Sequence, residues 1–84
     1  MGLDTVDLIV NIETAFNISV PNERWAGIDV VQDIYTVVEE YTRSSLVPRP
    51  EIIVRVNAIL SLQSGFNQDA ITPYMSITND LGLD

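Results

Sequence analysis

The chain has no cysteine, no histidine and no lysine. Without cysteine there is no disulfide framework and no thiolate metal site, and the redox compartment stays open. Without His, Cys or Lys the usual general bases and activated nucleophiles are missing, which leaves carboxylates, hydroxyls and arginine. Paired carboxylates can hydrolyse glycosides, but a largely helical chain of 84 residues leaves little room for the cleft. The expectation is a protein that is not an enzyme. Long apolar runs are absent too, so no membrane span is expected. The N-terminus lacks the basic-then-apolar pattern of a secretory signal, and the expected location is the cytoplasm.

Positive charge is scarce. Twelve Asp and Glu stand against four Arg, a net charge of −8. Nucleic acid is therefore an unsuitable partner, because phosphate binding needs a basic face. A strong negative field favours encounter with basic protein surfaces, although the same charge also keeps a small protein soluble. With 46% hydrophobic residues, the composition is that of one small globular domain, 1–84. A domain of this size buries a modest core and is stable by a few kcal/mol.

Hydrophobic periodicity divides the chain into helices. In "LDTVDLIVNIETAF" (3–16), Leu8, Ile12, Ala15 and Phe16 recur at helical spacing, with Asp4 and Asp7 in the first turn where carboxylates oppose the helix dipole. Val6 and Val10 lie off that stripe. They either pack against a neighbouring helix or form a small apolar contact patch. "SVPNERWAG" reads as an extended approach to a short helical turn, with Asn22 as its N-cap and Trp25 as a partly buried lid.

In "DVVQDIYTVVEEYT" the pair Asp29 and Gln32 suggests a capping-box variant. Ile28, Val31, Ile34, Tyr35, Val38 and Tyr41 supply the apolar face. Glu39 and Glu40 put negative charge at a helix C-terminus, which predicts fraying. "RSSLVPRP" (43–50) breaks all periodicity and reads as a linker able to span about 26 Å when extended. "PEIIVRVNAILSLQSGF" is another helix, with Pro50 in its first turn, Gly65 as its C-cap, and Ile52, Val56, Ile59 and Leu60 facing inward. "NQDAITPYMSITNDLGLD" is a long loop whose apolar anchors Ile71, Met75, Ile77 and Leu81 should pack across the helices. The fold class is all-α, a four-helix bundle of three long helices and one short, with a long ordered loop.

Placed in the order 51–84 then 1–42, these segments resemble the acyl carrier proteins of fatty-acid and polyketide synthesis. That family has a long first loop ending in Asp-Leu-Gly-x-Asp, followed at once by Ser-Leu and the second helix. Here the loop ends "Asp80-Leu81-Gly82-Leu83-Asp84", and the second helix resumes at "Leu3-Asp4-Thr5-Val6-Asp7-Leu8". "Ile18-Ser19-Val20-Pro21" matches the family's entry to its third helix, and "Ile28-Asp29-Val30-Val31-Gln32-Asp33" its start of the fourth. The resemblance covers nearly everything but the linker 43–50. It implies an acyl-carrier fold, circularly permuted and on this reading engineered, with 1–42 equivalent to the second to fourth helices and 51–84 to the first helix and loop.

In that family the Ser after Asp-Leu-Gly-x-Asp carries 4′-phosphopantetheine. The corresponding residue here is Gly2, which has no hydroxyl, so the chain as it stands is expected to hold no prosthetic group and to carry no acyl chain. A shifted register would make Thr5 the acceptor instead, at the expense of turning the Leu8/Ile12/Phe16 stripe away from the core. The resemblance further implies docking on basic surfaces of acyl-processing enzymes or phosphopantetheinyl transferases. Asp84, Asp4, Asp7 and Glu13 would give the negative contacts, and Leu3, Val6 and Val10 the apolar ones. Thr14 departs from the family, which commonly keeps an acid there. A non-carrier docking module with the same fold is the alternative. The sequence leaves open a monomer or a dimer with exchanged halves, which the linker would permit.

Overall fold

The computed structural model describes residues 3–83, and the side chains from residue 4 onward. Four α-helices form the domain: α1 (Leu3–Phe16), α2 (Asn22–Trp25), α3 (Val31–Tyr41) and α4 (Arg49–Ser64). Among the described residues there is no strand, only a single antiparallel bridge between Val30 and Ser76. The fold is thus a small, mostly helical domain with three long helices and one short.

Helix α4 lies at the centre of the packing, touching both α1 and α3. The expected stripes meet there: Leu8, Ile12 and Phe16 from α1, Ile34, Tyr35 and Val38 from α3, and Ile52, Val56 and Leu60 from α4 are all buried. One polar pair sits among them. The Tyr35 hydroxyl donates to Asn57 Oδ1, joining α3 to α4 inside the core. Burial pushes the Tyr35 phenol above its ordinary range, against the opposing pull of that hydrogen bond. The stripe on α4 gave no hint of Asn57, because an Asn beside Val56 looks like a surface residue in sequence.

The long loop is ordered for two reasons. Ile71, Ile77, Leu81 and Leu83 are buried anchors, and its carbonyls finish the first turn of α3. The N–H groups of Val31 and Gln32 donate to Met75 O (3.0 Å) and Pro73 O (2.9 Å). These are two of the donors that a helix N-terminus leaves without intrahelical partners. The box expected from Gln32 is built instead by Asp33, whose Oδ2 accepts the N–H groups of Asp29 (2.9 Å) and Val30 (3.1 Å). Val30 is the N-cap residue. Gln32 is exposed, and its backbone N–H is capped by the Pro73 carbonyl.

Several local expectations change. Pro21, not Asn22, is the N-cap residue of α2 and makes no side-chain cap, and Asn22 is the first helical residue. Trp25 is fully buried at 1% exposure rather than a lid, and its Nε1 has no hydrogen-bond partner among the described residues. The C-terminus of α3 is tied rather than frayed. Glu39 pairs with Arg49 at 2.6 Å, and Glu40 accepts two hydrogen bonds from Arg24 at 2.8 and 2.9 Å. Those bonds hold the Glu40 carboxyl below its ordinary range. The linker is also shorter and less extended than the sequence suggested. Arg43–Ser45 form a 3-10 turn, Leu46 is left-handed, and Arg49 and Pro50 already belong to α4. Gly65 closes α4 as expected, at φ +81° with its N–H on Ser61 O.

Candidate functional site

The outer face of α1 is the surface that the sequence singles out. With Leu8, Ile12 and Phe16 turned inward, the helical period of 3.6 directs Asp4, Asp7 and Asn11 along one outward line and Val6 and Val10 along the next. Val6 is 43% exposed and Val10 53%. They do not serve as flank packing against a neighbouring helix; they form an apolar ridge beside two carboxylates. Among the described residues, neither Asp4 nor Asp7 is in an ion pair. Three of the four arginines are bound elsewhere: Arg24 to Glu40, Arg49 to Glu39, and Arg55 to the far end of α1.

Arg55 reaches across from α4. Its guanidinium lies 4.3 Å from the Phe16 ring centroid and donates to Ala15 O. A cation there complements the negative end of the α1 dipole and covers an aromatic face. The positive charge is thereby kept at the C-terminus of α1, while the carboxylates occupy its first two turns.

The end of α1 is set by Asn17, which adopts a left-handed φ of 54°. Its N–H donates to Thr14 O (3.3 Å) and the Ile18 N–H to Glu13 O (3.0 Å), the paired bonds of a Schellman C-cap with Asn in the place glycine usually takes. Glu13 then serves the loop: its Oε2 accepts the Val20 N–H at 2.7 Å. This carboxylate closes the α1–α2 connection and is half-buried, unlike Asp4 and Asp7. Around the turn lies a shallow open groove of about 410 Å³ lined by Val10, Glu13, Thr14, Asn17, Ile18 and Ser19. The sequence reading did not find this groove. Its one signal was Asn17, a residue able to adopt φ > 0, directly after the last apolar position of the helix.

The other sequence-derived positions divide clearly. Thr5 falls within the first turn of α1, half-buried on the side of Leu8, Ile9 and Ile12. The register that would make Thr5 an acceptor needs the Leu8/Ile12/Phe16 stripe to face away from the core, and that stripe is buried. Gly2, Asp84 and the side chain of Leu3 lie outside the described residues. Among the described residues no helix is long and apolar enough to cross a membrane. The face offers negative charge next to methyl groups. No protein-family model matches this chain, and no solved structure matches it significantly.

Proposed function

We propose that this protein is an acyl-carrier-like docking domain of fatty-acid or polyketide biosynthesis, circularly permuted, that binds partner enzymes without carrying an acyl chain. The reading rests on the joint order of its segments after one rotation, 51–84 before 1–42, and on Gly2 at the place of the phosphopantetheine-bearing Ser. The observation that carries the docking half is the outward ridge of Asp4, Val6, Asp7 and Val10, whose carboxylates are in no ion pair among the described residues. Such a ridge suits basic surfaces on acyl-processing enzymes or phosphopantetheinyl transferases in the cytoplasm. Its role there is to steer and orient the encounter more than to supply raw affinity. No 4′-phosphopantetheine is held by the chain as it stands.

Two measurements test this. Incubation with coenzyme A and a phosphopantetheinyl transferase should give no mass gain, while a chain in the continuous order with Ser in place of Gly2 should gain the prosthetic group. A gain on the present chain, at Thr5 or elsewhere, would overturn the non-carrier reading. Binding to a ketosynthase should slow in association and lose salt dependence in the pair Asp4→Asn and Asp7→Asn. Both residues are exposed but Asp4 opposes the α1 dipole, so stability should fall by about 1 kcal/mol at most and the fold should be kept. Unchanged binding would remove the docking role from α1.

A further inference from the structure

The connection between α3 and α4 is short, exposed and conformationally awkward. Ser45 and Leu46 are held by two backbone bonds, to Thr42 O (3.0 Å) and Arg43 O (3.3 Å). Leu46 adopts φ 56° and is 84% exposed. A leucine gains nothing from the left-handed region, where its Cβ crowds the following carbonyl. Two residues on, Pro48 pushes Val47 toward extended geometry and is itself extended at ψ 145°. Leu46 therefore closes the 3-10 turn of Arg43–Ser45 and redirects the chain into the extended approach to α4.

We propose that this strap is a hinge through which two copies of the chain exchange halves, residues 49–83 of each packing on residues 3–42 of the other. The contacts between the halves are what makes exchange inexpensive. The principal helix contacts, α1 with α4 and α3 with α4, join one half to the other. So do the Tyr35–Asn57 bond, the Arg49–Glu39 pair, the Arg55 bond to Ala15 O, and the loop carbonyls on Val31 and Gln32. An exchanged dimer remakes each of these between chains. The strap itself gives up two exposed backbone bonds, which water replaces, and the packing of half-buried Val47 against the core. In return, both copies of Leu46 leave the left-handed region. Opened, residues 44–48 reach about 17 Å, well beyond the 8–10 Å that separates packed helix axes. Short hinges under strain are a known route to exchange, and the dimer would present two α1 faces.

The test is refolding of the full chain at low and high concentration, followed by mass measurement in solution. A dimer should form at high concentration and persist on dilution. Leu46→Gly eases the left-handed turn in the monomer and should weaken the dimer roughly fivefold per hinge, about 25-fold in all. Leu46→Val, β-branched and worse in that region, should strengthen it. In a dimer prepared from isotope-labelled and unlabelled chains, nuclear Overhauser contacts between Tyr35 and Asn57 should run between chains. A chain that stays monomeric at every concentration overturns the proposal, as does a dimer indifferent to Leu46. So does a dimer abolished by Val54→Glu and Leu62→Glu, which would place the contact on the exposed outer face of α4 instead.

Discussion

The Tyr35–Asn57 pair makes a sharp energetic test, because each partner is buried and each is stranded without the other. Tyr35→Phe removes the donor and leaves Asn57 Oδ1 without it, which should cost about 1–3 kcal/mol. Asn57→Leu strands the Tyr35 hydroxyl and should cost a similar ~1–3 kcal/mol. Against a whole-domain stability of roughly 4–13 kcal/mol at ~0.05–0.15 per residue, either change is large. It should lower Tm by about 4–8 °C for each kcal/mol lost. The double variant Tyr35→Phe/Asn57→Leu leaves no stranded group, so it should lose less than the two singles together, by about 1–2 kcal/mol.

Urea unfolding followed by far-UV circular dichroism reads all four chains, with the m-value unchanged if only stability moves. Additivity within about 0.5 kcal/mol would refute the reasoning. The same pair sets an alkaline limit. Burial keeps the phenol protonated in the native state above its usual range, so the unfolded chain releases that proton first. Stability is then fully present below the ordinary tyrosine pKa of 10.0 and falls as pH rises past it. Tyr35→Phe should flatten that fall, and an unchanged alkaline profile would argue against it.

The remaining predictions concern single side chains. Trp25→Phe removes a buried donor that has no partner among the described residues while shrinking the core, and the opposing effects should leave a net loss of about 1 kcal/mol. Wild-type emission should be blue-shifted and resist acrylamide, and a loss of about 3 kcal/mol or more would mean packing dominates. Gly65→Ala meets no atom within 4 Å of its Cβ, so only the positive φ penalises it, by about 1 kcal/mol measured by thermal unfolding. A much larger loss would point to a clash that the backbone does not show.

What was legible in the sequence was whatever depends on periodicity or on one residue's own conformational preference. The stripes of α1, α3 and α4, the Gly65 cap, Pro50 in the first turn of α4 and the anchors of the long loop are of this kind. Local chemistry read without its neighbours misled. Glu39 and Glu40 oppose the α3 dipole in sequence, yet Arg49 and Arg24 reach them from elsewhere in the chain. Asn22 looked like a cap and Trp25 like a lid, because neither the backbone of Pro21 nor the burial of Trp25 is written in nearby residues.

For the α1 face, sequence alone determined the composition of the candidate surface: acids and valines at helical spacing, with scarce positive charge throughout. The tertiary structure decided which of them are available. It committed Glu13 to the Val20 N–H, drew Thr5 toward the core, and left Asp4, Val6, Asp7 and Val10 outward. The physical reason is that periodicity names a helix face, while burial and hydrogen bonding depend on what other segments bring to it. The same division holds at the hinge. Pro48 and the two serines announced a break, but the left-handed turn at Leu46 is seen only in the folded chain.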